Sequence, residues 1–308
     1  MESNARESAL RQLIAVREAV GRTTTVRSIL DPSWFDKLEA EITQVEEGAP
    51  LTSDRAGLLA AFGHPSRGVD WFEQGQALYL QGKLNESTSG QAYALACLGV
   101  DPLLDFLPKL DARLQALTAL SFKEDTVKAK LRQLRLTRED LSFRNHLFEA
   151  SVVGDLATKG VLIDIEDGSS RVDGVVQVDG RSVLVEATNT TQELLKDFEG
   201  AMFVDIGREV KQVIDKVQNK VARGRQIALA AGRPALLFLA LNRRGADSQS
   251  AEDAVQQCFA DPNFAALSGV VVADSWKFLK TRWFLGLRPD VPLTRLESER
   301  FETWYSRG

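Results

Sequence analysis

The chain has 308 residues, 44% of them hydrophobic and 26% charged, which is the composition of a globular protein with a real core. No apolar run reaches the length of a membrane span, and the first residues, MESNARESA, lack the basic-then-apolar pattern of a secretory signal, so a cytoplasmic protein is expected. Cys97 and Cys258 are the only cysteines and His64 and His146 the only histidines, which excludes a disulfide framework and nearly excludes a His/Cys zinc site. The charge is uneven. Residues 1–120 carry 11 Lys and Arg against 16 Asp and Glu, and residues 121–308 carry 27 against 27. Basic clusters at 128–144 and 208–225 each hold six cations against two acids. They suit a phosphate backbone, although on charge alone a solvated helix face explains them as well.

Residues 1–122 read as a helical N-terminal domain. Leu10, Leu13, Ile14, Val16 and Val20 have helical spacing. Asp31-Pro32 caps a second helix carrying Trp34, Phe35, Leu38 and Ile42. Short helices follow at 54–62, 70–80, 90–98, 102–107 and 111–120. This part holds no chemical constellation.

Residues 123–308 differ. A basic amphipathic helix covers 123–134, and a second, opened by Thr137 with an acid in its first turn, runs to about Lys159, where Gly160 stops it. Glu149 lies inside it. A strand at 161–165 precedes two valine-rich runs that flank Asp179-Gly180. Asp-Gly between β-formers signals a two-residue hairpin turn, because both turn residues take positive φ. That turn pairs Val178 with Arg181. Counting outward, Asp173 stands opposite Glu186, and Arg171 opposite Thr188, all on one face. Two opposed carboxylates at the end of an apolar hairpin repel each other, and a divalent cation is the simplest compensation. A helix over 207–231 carries Lys211 and Gln218 beside its apolar stripe. Strands at 235–241 and 269–273 enclose a helix at 251–259, and the aromatic tail ends in a helix at about 294–305. The order describes a mixed α/β sheet flanked by helices, preceded by an all-α domain.

From 137 to 275 the chain resembles the PD-(D/E)XK nuclease-like superfamily, the restriction-endonuclease-like fold. Glu149 matches that family's helix Glu, Asp173 its Asp, and Glu186 the first residue of its third motif, with 12 residues between the two strand acids. The resemblance implies a Mg²⁺- or Mn²⁺-dependent endonuclease hydrolysing DNA, in defence or repair. Asp173, Glu186 and the Ala187 carbonyl would be the metal ligands. The motif departs from the family at Thr188, where a lysine is usual, and threonine cannot stabilise charge developing on a phosphate. Lys211 is the first substitute and Arg171 the second, with Gln218 a further phosphate contact; Arg171 stays protonated and cannot act as a base. The alternative is an inactive nuclease-fold module that binds nucleic acid or a protein partner, and a homo-oligomer is compatible with either. There is no Walker phosphate loop, dinucleotide-binding glycine motif, nucleophile elbow or HExxH.

Overall fold

The computed structural model describes residues 100–137, 140–165, 172–178, 180–189, 235–241, 248–260, 268–274 and 284–287, together with Lys211 and, within 11–48, residues 11, 14–15, 17–19, 21–30, 36, 39–40, 43–44 and 46–48. The chain divides into two compact units. The first comprises Met1–Gln115 and Ala129–Leu147, the second Ala116–Lys128 and Phe148–Gly308. Among the described residues every regular element before Leu162 is a helix. The expected helices at 54–62, 70–80 and 90–98 and the terminal helix at 294–305 lie outside the described residues.

In the first unit a short helix, α1 (Thr24–Ile29), buries Val26 and Ile29. Its Thr23 cap residue makes no side-chain capping hydrogen bond to the helix. The carboxylate of Asp111 takes over that role, accepting the Val26 N–H at 2.8 Å. Asp111 lies on α2 (Val100–Thr118), one continuous helix where two were expected, at 102–107 and 111–120. Pro108 inside it forfeits one helical hydrogen bond and strains the preceding turn, at about 3 kcal/mol. Leu107, Leu110, Leu114 and Leu117 are buried on one stripe that runs past the proline, and burying such side chains contributes roughly 1.5–3 kcal/mol each. Burial therefore wins over the local break. Helix α3 (Glu124–Leu136) carries Lys128, Lys130, Arg132 and Arg135 of the first basic cluster, and α4 (Asp140–Thr158) follows.

Helix α4 ends in a Schellman motif. Gly160 has φ +67°, Val161 N–H donates to the Leu156 carbonyl at 3.2 Å, and Gly160 N–H donates to Ala157 at 3.0 Å. The chain then enters β1 (Leu162–Ile165), β2 (Gly174–Val178), β3 (Arg181–Asn189), β4 (Ala235–Leu241), α5 (Ser248–Ala260), β5 (Gly269–Asp274) and β6 (Phe284–Leu287). The strands form one six-stranded sheet in sequence order. β1, β2 and β3 are an antiparallel meander, β3, β4 and β5 are parallel, and β6 returns antiparallel to β5. The architecture is thus mixed α/β. Strand β6 is one the sequence reading does not place.

β4 is the centre of the core. Ala235 to Ala240 are all buried, as the unbroken apolar run requires of a strand covered on both faces. Ser268 locks the start of the next parallel pair: its Oγ accepts the Ala235 N–H at 3.2 Å and its own N–H donates to the Ala235 carbonyl at 2.8 Å. α5 lies against β5 and β6 and buries Ala254, Val255, Cys258 and Phe259.

Candidate functional site

The site is built on the hairpin. Its pairs are Val178 with Arg181, Gln177 with Ser182, Val176 with Val183, Val175 with Leu184 and Gly174 with Val185, the register that the Asp-Gly turn predicts. Gly180 takes φ +82°, a conformation that disfavours any side chain. The pairing stops at Gly174, and one step beyond it Asp173 stands opposite Glu186. Alternation puts Asp173, Val175, Leu184, Glu186 and Thr188 on one face. Gly174, Val176, Val183, Val185 and Ala187 lie on the other. On that second face β1 and α4 approach the hairpin: a Cβ built on Gly174 would stand 3.1 Å from Leu162 Cδ1 and 4.0 Å from Val153 Cγ2.

Asp173 does more than end the strand. Hydrogen-bonded pairs alternate along an antiparallel ladder, and a two-residue turn makes the closing pair, Val178 and Arg181, one of them. By that count the Ala187 N–H is the next donor and its ladder acceptor would be the Val172 carbonyl. Instead it donates to Asp173 Oδ2 at 2.7 Å. The carboxylate replaces a rung of the sheet and is oriented by β3. In a regular strand the Ala187 carbonyl points to the same side as its N–H, toward Asp173. Glu186 pairs across the parallel edge with Leu237, and Thr188 with Leu239, both leucines fully buried. Glu186 and Thr188 are themselves half-buried.

The face carries a third carboxylate that sequence reasoning does not single out. A bulge at Ile163 shifts the β1 register so that Asp164 pairs with Val175 and shares its face. Asp164 is therefore the diagonal neighbour of Asp173 across the β1–β2 pair, at roughly 7–8 Å between positions. Its Oδ1 accepts the Ile165 N–H at 2.8 Å and meets Lys123 Nζ at 3.3 Å. Lys123 precedes α3, accepts the Val127 N–H on its carbonyl at 3.0 Å, and has φ +55°. Among the described residues it is the one non-glycine with positive φ. That conformation costs about 1–2 kcal/mol. The exposed ion pair returns about 0–1 kcal/mol and does not offset it. One sequence signal was available: Asp164 interrupts the otherwise apolar strand Leu162-Ile163-Asp164-Ile165.

Just past the last rung of the hairpin, Asp173 is thus tied to Ala187, the residue that follows Glu186 on β3. Glu149 is half-buried on α4, one turn before Val153 and on its side of the helix, so it approaches from the opposite sheet face. Lys211 is helical and exposed. Arg171 and Gln218 lie outside the described residues. Among the described residues no three His, Cys, Asp or Glu side chains are grouped as a metal ion would need. The donors on offer are two carboxylates and a main-chain carbonyl, an all-oxygen set of the kind that suits Mg²⁺ or Mn²⁺, whose remaining positions are commonly filled by water. Among the described residues no helix is long and apolar enough to cross a membrane. Comparison of the chain with protein-family models, with curated proteins and with solved structures found no match.

Proposed function

We propose that residues 123–308 form a restriction-endonuclease-like domain of the PD-(D/E)XK type that hydrolyses phosphodiester bonds of DNA with Mg²⁺ or Mn²⁺. The observation that carries this reading is the bond from the Ala187 N–H to Asp173 Oδ2, one step beyond the last ladder pair, Gly174 with Val185, where the register continued outward sets Asp173 opposite Glu186. The element order supports it: a helix bearing Glu149, a three-stranded meander carrying the acids, then parallel strands of which β4 and β5 are linked by α5.

Asp173, Glu186 and the Ala187 carbonyl would hold the cation. A bound Mg²⁺ polarises the phosphate and lowers the pKa of a ligated water. The chain's own work is positional. The Ala187 N–H fixes one carboxylate oxygen, and Leu237 limits water beside Glu186, which strengthens its attraction for a cation. Glu149, which approaches from the opposite sheet face, stands outside this set, and Lys211, Arg171 and Gln218 would contact phosphate in place of the missing lysine. The N-terminal helical domain, with its excess of acids, serves recognition or assembly, and the protein is cytoplasmic in this reading.

Thr188 favours a second reading, a nuclease-fold module that binds nucleic acid or a protein and no longer cuts. Plasmid and single-stranded DNA incubated with Mg²⁺, Mn²⁺ or EDTA, alongside calorimetric Mn²⁺ binding, separate the two. Metal-dependent nicking that Asp173→Asn and Glu186→Gln abolish together with Mn²⁺ binding supports the enzyme. Absence of both cutting and metal binding leaves the binding module.

A further inference from the structure

Four groups on this sheet face bear on phosphate: Asp173, Glu186, Asp164 and, through its ion pair, Lys123. We infer that Lys123 is a further phosphate-binding cation of the site, contacting a DNA phosphate oxygen on the Asp164 side of the acid pair. The inference rests on the nuclease-fold reading above and adds to it a residue and a direction of approach that the motif does not contain.

Three observations carry it. The first is placement. Asp164 pairs with Val175, which pairs with Leu184, and alternation carries that face on to Asp173 and Glu186, so Asp164 is diagonal to Asp173 at a separation that long side chains span. An ammonium 3.3 Å from Asp164 is thereby set beside the acid pair on the face where Thr188 supplies no charge. The second is accessibility. The Lys123 and Asp164 side chains are 37% and 29% exposed, so the ammonium is held on a carboxylate yet open to an incoming anion. The third is the backbone. Lys123 occupies a left-handed φ of +55° that glycine or asparagine would adopt more readily, and its main-chain role, accepting the Val127 N–H, needs no side chain. A lysine there is explained by its charge and not by its fit to the turn.

Asp164 has a defined part in this arrangement. It orients Lys123 in the absence of DNA, and a phosphate competes with it for the ammonium. No covalent step is assigned to either residue.

The test uses the full chain and a short labelled DNA duplex with Ca²⁺ in place of Mg²⁺, followed by anisotropy across a KCl series, with thermal melting of each variant. Lys123→Gly is expected to melt no lower than wild type, to bind DNA about tenfold more weakly, and to lose about one from the slope of log affinity against log salt. Lys123→Arg keeps affinity and slope. Should Lys123→Gly fail to fold, Lys123→Asn, which also tolerates positive φ, takes its place with the same expectation. Unchanged affinity and slope in a folded Lys123→Gly overturn the inference, as does a wild type that binds no DNA with Ca²⁺. A wild type whose binding depends on Lys123 but which cuts nothing with Mg²⁺ overturns the hydrolytic reading and leaves this one standing.

Discussion

Asp173 accepts the main-chain N–H of Ala187 at 2.7 Å, the residue that follows its opposite neighbour Glu186. One side chain therefore both closes the sheet and presents a carboxylate, so fold and site are mechanically coupled at this point. Asp173→Ala leaves a half-buried N–H without its anionic acceptor and is expected to destabilise the second unit by about 1.5–3 kcal/mol. Asp173→Asn keeps a neutral acceptor and should cost about half as much. Urea denaturation followed by far-UV circular dichroism measures both. A loss near zero for Asp173→Ala would show that the bond contributes nothing.

Two glycines separate conformational cost from steric cost. Gly160 has φ +67° and open space around its missing Cβ, so Gly160→Ala pays only for the backbone, about 1–2 kcal/mol. Gly174 has no positive φ, but its Cβ would lie 3.1 Å from Leu162 Cδ1. That atom ends a side chain that can give a few tenths of an ångström, so Gly174→Ala should cost about 1 kcal/mol, at the low end for overpacking. Thermal melting of the two variants should rank Gly160→Ala as the less stable.

The elements that were legible in the sequence are those whose signal is local. Asp179-Gly180 signals its own turn, and the turn dictates the register, which holds from Val178 with Arg181 to Gly174 with Val185. The run Ala235–Leu241 announces a doubly covered strand because every residue in it is apolar. What was misread depends on distant partners. Pro108 looks like a boundary until its leucine stripe is seen to be buried on both sides of it. Phe284–Leu287 contains Gly286, too short and too weak a β-former to announce itself, and it becomes a strand by pairing with β5. Lys123 and Asp164 were missed because they are 41 positions apart and meet only through a bulge in β1, which no pattern in the sequence encodes.

The pair Glu124 and Lys128, one turn apart at the start of α3, gives a pH-dependent expectation. The hydrogen bond from Lys128, and then its charge, hold the Glu124 carboxyl below its ordinary value. A carboxyl with a depressed folded pKa contributes stability above its unfolded pKa and loses it as pH falls through the folded one. The contribution is thus complete at neutral pH and vanishes in acid, below the ordinary carboxylate range. Lys128→Met should move the Glu124 midpoint upward in a carbon-detected NMR titration. An unmoved midpoint would mean that the pair does not persist in solution.

Thr188 is where the motif and the proposed chemistry disagree, and substitution there is the most informative test of the acid pair. Its side chain lies on the Glu186 face, half-buried, opposite the buried Leu239. A lysine at 188 can lay its methylene stem along that leucine and carry its ammonium toward water, so the fold should tolerate it at a cost below about 1.5 kcal/mol. In an active protein Thr188→Lys is expected to raise the Mg²⁺-dependent nicking rate about tenfold or more, since a positioned cation stabilises charge that develops only in the transition state. Calorimetric Mn²⁺ affinity should fall slightly, because the new charge repels a neighbouring dication. Lys211→Ala, at an exposed helical position, should leave stability within about 0.5 kcal/mol while lowering the rate, and Thr188→Lys should restore part of that loss. If Thr188→Lys folds, binds Mn²⁺ no better than an Asp173→Asn control and still cuts nothing, the acid pair is a remnant of a fold that now serves binding alone.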